Sequence, residues 1–161
     1  MFIKPDYDLN SIYDINLDEL KQQGIRALLF DLDSTLMASK TGCYSSETLN
    51  WLSKVRKDFF VGVVSNNKNS DYIEKVSSCS DFPVVFNAHK PNIKVALKFM
   101  KEHNLTAKTT AFVGDRPLTD VICGKRLGCK VTILVDSISA NSEHRIVRFA
   151  RWLERCSVKK C

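Results

Sequence analysis

Two carboxylates, Asp31 and Asp33, follow the apolar run Ile25-Arg26-Ala27-Leu28-Leu29-Phe30 in the string Asp31-Leu32-Asp33-Ser34-Thr35-Leu36. A run of that composition reads as a buried strand, and at its period both acids leave the same side of the chain. In a parallel sheet, ligands bind at the carboxyl ends of the strands. Two neighbouring acids repel each other. A bound cation relieves that repulsion and leaves one carboxylate to act as a nucleophile and the other to carry protons. The same residues also start turns and cap helices, so this pair alone does not define a function.

The later strand ends strengthen the chemical reading. After Phe60-Val61-Gly62-Val63-Val64 comes Ser65-Asn66-Asn67, offering a hydroxyl, amides and backbone N–H groups near a helix start, an arrangement that holds anions. His89-Lys90-Pro91 brings a cation to the next helix entrance. Gly114-Asp115-Arg116-Pro117-Leu118-Thr119-Asp120 adds two carboxylates behind a glycine that permits close backbone approach. Each piece has a structural explanation as a cap, a solvated charge or a turn residue. Their placement at successive strand ends is harder to explain that way.

The elements that must position these groups alternate between short Val/Ile/Phe-rich runs and longer helical stretches, the pattern of βαβ units and a parallel sheet. Five strands are expected, near 25–31, 60–65, 83–87, 109–114 and 130–135. Helices are expected near 46–57, 69–78, 92–103, 118–127 and 141–156. Pro91 and Pro117 suit first helical turns and Gly128 suits a helix end. The 161 residues suffice for one domain with its own core, spanning 1–161, with an ordered lead-in over 1–24 and a basic amphipathic helix and tail over 140–161.

Composition narrows the classes further. With 44% hydrophobic and 26% charged residues, the chain is of ordinary globular type rather than disordered. No apolar stretch approaches the roughly 20 residues of a membrane span, and Met1-Phe2-Ile3-Lys4-Pro5-Asp6 lacks the apolar segment of a secretory signal. A cytoplasmic location is expected, with peripheral contact at a membrane surface as an extension of it. Six cysteines form no zinc-like spacing and read as reduced thiols. A net charge of +6 favours an anionic partner: a phosphorylated substrate, an acidic membrane surface or nucleic acid.

Taken together, Asp31-x-Asp33-x-Thr35, Ser65, Lys90 and Gly114-Asp115-(x4)-Asp120 resemble, in order and spacing, the four motifs of the haloacid dehalogenase (HAD) superfamily, over about residues 25–135. Within it, Asp31-Leu32-Asp33-Ser34-Thr35-Leu36, Ser65-Asn66-Asn67, His89-Lys90-Pro91 and Gly114 to Val121 are most similar to the YqeG/Gep4-type phosphatases of subclass IIIA, which are phosphatidylglycerophosphate phosphatase-like. The lead-in strings Ser11-Ile12-Tyr13-Asp14-Ile15 and Leu20-Lys21-Gln22-Gln23-Gly24 extend the likeness over nearly the whole chain. The resemblance implies a three-layer α/β/α Rossmann-like fold on a five-stranded parallel sheet. It also implies an Mg²⁺-dependent hydrolase that removes the terminal phosphate of phosphatidylglycerophosphate in phospholipid biosynthesis.

On that resemblance Asp31 is the nucleophile and Asp33 the acid and base. Mg²⁺ is held by the Asp31 carboxylate, the Asp33 backbone carbonyl and Asp115. Ser65 and the Asn66 backbone N–H contact the phosphate, and Lys90 balances its charge. Thr35 orders the nucleophile loop, and Asp120 either reaches the metal through water or orients Lys90. The intervals Thr35–Ser65 and Ser65–Lys90 leave no room for an inserted cap, so the site is expected to be open, admitting a head group still attached to a membrane.

The segment Glu143 to Cys156 bears on the same question. On a helical wheel Ile146, Phe149, Ala150, Leu153 and Cys156 share one face, Arg148, Arg151 and Arg155 group on the other, and Trp152 falls at the boundary. Such a helix, followed by Lys159 and Lys160, either packs its apolar face on the sheet with a basic face in solvent or lies on an anionic bilayer. Two other functions fit parts of the sequence: a phosphatase for a soluble phosphomonoester such as a sugar phosphate, nucleotide or phosphoglycolate, and a basic RNA- or ribosome-associated factor on a HAD fold. No RNA-binding module or aromatic platform is legible, which disfavours nucleic acid.

Overall fold

The computed structural model describes residues 3–139 and 145–158, with the side chain of Arg148 excepted. In chain order it contains β1 (Tyr7–Leu9), α1 (Leu17–Gln22), β2 (Ala27–Phe30), α2 (Ser46–Val55), β3 (Phe60–Val64), α3 (Ser70–Cys79), β4 (Val84–Val85), α4 (Lys94–Glu102), β5 (Thr110–Gly114), α5 (Ile122–Leu127), β6 (Val131–Val135) and α6 (Arg145–Cys156). Short 3-10 turns at Ile12–Asp14 and Ala107–Thr109, and a π-helical turn at Pro117–Val121, complete the elements. The expected helix start at 141–144, the tail residues Lys159, Lys160 and Cys161, and Met1 and Phe2 lie outside the described residues.

All strands are parallel, in the order β1-β6-β5-β2-β3-β4. The sheet has six strands rather than the five expected. The additional strand is β1, a three-residue edge that pairs Tyr7 with Ile133 and Leu9 with Val135. A strand of three residues, Tyr7-Asp8-Leu9, is too short to show an apolar run. At the other edge β4 shrinks to two residues against the expected 83–87.

Strand order reverses between β2 and β5, which pair Phe30 with Val113. The crevice at such a reversal is where open α/β sheets bind ligands. Asp31 follows β2 and Asp115 follows β5, so the two acids flank that crevice from adjacent strands.

Residues of β2 are buried on both sides, as central parallel strands should be. Leu28 and Phe30 enter a core with Leu20 of α1, Leu52 and Val55 of α2 and Val76 of α3. Leu29 enters the opposite core with Phe99 of α4, Phe112 of β5 and Cys123 of α5. Local chemistry sets the helix ends: Ser45 and Asn69 accept hydrogen bonds from Thr48 N–H and Tyr72 N–H at the starts of α2 and α3. Gly128 closes α5 in the left-handed conformation at φ 76°. One helix and its connections separate Thr35 from Ser65, and α3 with β4 separates Ser65 from Lys90, so neither interval holds a cap.

Helix α6 resolves the two orientations left open by the sequence. Its polar side faces the domain: Arg116 donates to Glu154, Arg155 pairs with Asp8 (3.1 Å) and Asp136 (2.8 Å), and Arg151 pairs with Asp115. Its apolar positions Ile146, Phe149, Ala150, Leu153 and Cys156 are exposed. Of the two readings, the packing of the apolar face on the sheet is therefore not the one adopted. Both faces of the sheet are already covered by α1–α5, whereas the charged strand ends supply partners for arginine and glutamate. Among the described residues no helix is long and apolar enough to cross a membrane.

Candidate active site

Every motif residue named from the sequence lies at the carboxyl end of the sheet. Backbone geometry brings the first group there: Asp31 N–H donates to Val113 carbonyl at 2.8 Å, continuing the β2–β5 ladder by one residue. The chain then turns tightly. The N–H groups of Leu36 and Met37 both return to Leu32 carbonyl, and Ser34 adopts φ 70°. This turn carries Thr35 beneath the two acids, where its hydroxyl lies 3.1 Å from Asp115 Oδ1 and 3.4 Å from Asp31 Oδ2.

Lys90 is the hub of the site. Its side chain is buried, and its Nζ donates to Asp31 Oδ1 at 2.5 Å and to Asp120 Oδ1 at 2.8 Å while lying 5.6 Å from the Phe112 ring centroid. Burial works against its charge, but the Asp120 and Asp31 carboxylates together outweigh that and raise its pKa, so it remains an ammonium. Asn66 fixes the Lys90 backbone from both sides, donating to its carbonyl at 3.0 Å and accepting from its N–H at 2.6 Å. The Asn66 side chain thus has a structural task beside the backbone contact expected of it.

Burial is also the main influence on Asp31. It raises the carboxyl to about 6, against the opposing pull of Lys90, with Asp120 and Asp33 adding to the rise. Asp33 is turned the other way, accepting a hydrogen bond from the Tyr72 hydroxyl of α3, whose own pKa is raised by burial and by Asp33. Ser65 is buried beneath the loop, and its Oγ accepts from Asn67 N–H at 3.1 Å. Asp31, Asp33, Asn66, Lys90 and Asp120 line a cleft of about 190 Å³, with Arg116 and Arg151 at its wall. Ser65, Thr35 and Asp115 form the buried layer behind it.

Asp120 uses both oxygens, one on Lys90 and the other on the Arg116 N–H at 3.0 Å. The π-helical turn beginning at Pro117 makes this possible by folding Asp120 back toward Gly114. A Cβ at Gly114 would lie 2.4 Å from the Asp120 Cβ and Cγ. Because Asp120 is pinned at both oxygens, Gly114→Ala should cost about 1–3 kcal/mol of stability, the usual range for overpacking, and should displace the partner of Lys90. A thermal melt checks this, and an unchanged midpoint would mean that the Asp120 carboxyl yields freely.

Sequence reasoning missed Tyr72, Arg116 and Arg151. Tyr72 gave no signal, since an aromatic on an amphipathic helix reads as core. On the helical wheel Arg151 belongs to a basic face that reads as solvated, yet in the fold it reaches Asp115 and, at 3.3 Å, the Ser34 hydroxyl.

The acidic set fits a hard divalent cation. Oxygens of Asp31, Asp115 and Asp120 lie within 4.8 Å of one another. Four carboxylates at the cleft, Asp33 included, face Lys90 and Arg151, while the third cation of the wall, Arg116, is offset by Glu154. That leaves a formal deficit of two positive charges, and carboxylate and carbonyl oxygens are the donors that Mg²⁺ prefers.

A parallel α/β sheet with these acids at its switch point is the arrangement that the motif resemblance implies for a phosphatase, and the sequence comparisons give the same class. The chain belongs to the mitochondrial PGP phosphatase family, whose model matches residues 1–139. It is 28% identical over 154 residues to the "Probable phosphatase YqeG" of Bacillus subtilis (strain 168), covering 96% of this chain and 88% of that protein. It is 25% identical over 168 residues to "Phosphatidylglycerophosphate phosphatase 1, chloroplastic/mitochondrial" of Arabidopsis thaliana, covering 99% of this chain and 48% of that protein, so it spans about half of the plant relative. Among solved structures, an uncharacterized protein from Listeria monocytogenes serotype 4b shares the fold with a TM-score of 0.56 and 14% identity, over 82% of this chain and 99% of that one.

Proposed function

We propose that this phosphatase is Mg²⁺-dependent, works through an aspartyl phosphate on Asp31, and hydrolyses phosphatidylglycerophosphate to phosphatidylglycerol. The observation that carries the reading is the cleft itself, where an excess of carboxylates surrounds one nucleophile candidate whose Oδ1 is locked on a buried lysine. At about 190 Å³ the cleft takes a phosphoryl group and little more, below the roughly 300–1,000 Å³ of pockets that engulf whole small ligands. The remainder of the substrate stays outside, as a lipid would.

In this mechanism Asp31 Oδ2 attacks phosphorus while Lys90 holds Oδ1, and the bond from phosphorus to the ester oxygen breaks. Asp33 gives its proton to the departing oxygen, with Tyr72 fixing the carboxyl that does so. Asp33 then takes a proton from the water that attacks the phosphoryl group, releasing phosphate and regenerating Asp31. Lys90 offsets charge on the phosphoryl oxygens, and Ser65 and the Asn66 backbone N–H orient them. Asp120 positions Lys90, and Thr35 sets the spacing of Asp31 and Asp115. The Asp31 carboxylate, the Asp33 carbonyl and Asp115 would hold Mg²⁺, which supplies positive charge beside the transferring phosphoryl group.

Phosphate release from phosphatidylglycerophosphate in mixed micelles, beside a panel of sugar phosphates, nucleotides and phosphoglycolate, tests the substrate. Preference for the lipid supports the reading, and turnover confined to the soluble esters overturns it. The metal assignment has its own pH signature. A proton on Asp31 competes with the cation, so below about pH 6 the Mg²⁺ affinity should fall by up to about tenfold per pH unit, and above it the affinity should level off. Calorimetric titration from pH 5 to pH 8 reads this directly. A flat profile would remove Asp31 from the ligand set.

A further inference from the structure

Five of the ten exposed large hydrophobic side chains among the described residues lie on α6, which makes up a small part of the chain. Ile146 is 80% exposed, Trp152 59%, Phe149 58% and Leu153 50%, and the Phe149 and Trp152 rings stack at 5.7 Å between centroids. Scattered surface hydrophobics are ordinary, but a contiguous stripe along one helix is not. The stripe is unlike an exposed face left by poor anchoring. The opposite side of α6 is tied to the domain by Arg151, Glu154 and Arg155, and Val158 just beyond it packs on Ile3 and Leu134.

The position of the stripe matters as much as its composition. Arg151 reaches from α6 to Asp115 at the back of the cleft, so the apolar face lies about one helix diameter, roughly 10–12 Å, from the site. Two further exposed hydrophobics adjoin the cleft in sequence or by hydrogen bond: Leu118, beside the lining residue Thr119, and Ile138, whose N–H donates to Ser34 carbonyl. Exposed basic residues stand beside the cleft and on α6: Lys40 is next to the lining residue Ser39, Lys68 next to the lining residue Asn67, and Arg145 opens α6, while Arg116 in the cleft wall is paired with Glu154. Asp8 and Asp136, exposed acids beside α6, are both paired with Arg155.

We infer that the outward face of α6 inserts into the surface of an anionic phospholipid bilayer and thereby holds the cleft at head-group level. Phe, Trp and Leu on one side of a helix with low overall hydrophobicity, framed by Lys and Arg, are the features of an in-plane interfacial helix. The basic rim selects an anionic surface over a neutral one. This deepens the lipid-substrate reading and rests on it for the purpose of the docking. It takes up the bilayer reading that the sequence left open for α6, with the difference that Arg151 and Arg155 anchor the helix to the domain instead of meeting the lipid.

Co-sedimentation with phosphatidylglycerol/phosphatidylcholine vesicles, compared with pure phosphatidylcholine, tests the docking without any turnover. The wild-type chain should partition to the anionic vesicles at least tenfold more strongly than to the neutral ones. Phe149→Glu/Leu153→Glu should lose at least tenfold of that partition while hydrolysing a soluble phosphomonoester as the wild type does, which also reports that it is folded. Wild-type protein remaining in the supernatant, or a double variant that sediments equally, overturns the docking. So does a stable dimer that the substitutions dissociate without any vesicle binding, which would assign the face to a second copy. Vesicle binding with no hydrolysis of phosphatidylglycerophosphate in micelles leaves the docking standing and removes the substrate; micellar hydrolysis without vesicle binding does the reverse.

Discussion

Asp31→Asn should lower turnover by about 10⁴-fold or more, the scale seen when a nucleophile is removed, and at pH 7–8 it should not lower the melting temperature of the metal-free protein. The two effects separate because of what surrounds the carboxyl. An amide oxygen still accepts from Lys90, and Lys90 keeps its bond to Asp120. The sign follows from the pKa. Burial raises the Asp31 carboxyl from 3.8 to about 6, so its ionised form is less favourable in the folded chain than in the unfolded one. The stability associated with this group is fully present below pH 3.8 and is lost as pH rises through about 6. The asparagine variant carries no such loss. Its melting temperature should therefore match or exceed that of the wild type above pH 6, with the difference vanishing in acid. Paired activity assays and melts across pH 4–8 check both limbs. A variant that is inactive because it has unfolded would carry no information about the nucleophile.

Lys90→Met should damage both properties at once. The substitution keeps an unbranched chain against Phe112 but leaves Asp31 and Asp120 facing each other without the ammonium that now bridges them. Removing one partner of a buried ion pair costs about 3–5 kcal/mol, and losing one preorganised electrostatic donor costs about 10²–10³ in rate. Without the Lys90 charge that holds it down, Asp31 in the variant takes up its proton at a higher pH than in the wild type, so the stability deficit should shrink as the pH falls toward about 6. Adding Asp120→Asn should restore part of the melting temperature and none of the turnover, a non-additivity expected of residues in one network. A single variant that melts with the wild type would show that Lys90 is not the counter-charge of the two acids.

Asp31, Ser65, Lys90 and Asp115 were legible because each follows a strand whose apolar run marks it, and a parallel sheet gathers its carboxyl ends at one edge. Gly128 was legible because the left-handed cap at φ 76° favours glycine. What the sequence hid depends on long-range partners. β1 is three residues long and exists by pairing with β6, more than a hundred positions away. Tyr72 reads as one more core aromatic until the Asp33 turn is placed against α3. The wheel of α6 separates two faces correctly but cannot say which is inward. That is decided by Asp8, Asp115, Arg116 and Asp136, which the folding of the sheet brings beneath the helix. The helix expected over 118–127 opens instead with a π-helical turn, because Asp120 must return to both Lys90 and the Arg116 N–H.

The most direct test of Asp31 as nucleophile is a rapid acid quench during turnover of phosphatidylglycerophosphate labelled in its terminal phosphate, followed by peptide mapping. A hydroxylamine-sensitive label on the peptide containing Asp31, present in the wild type and absent from Asp31→Asn, is the predicted result. Label retained by Asp31→Asn, or carried on a different peptide of the wild type, would contradict it.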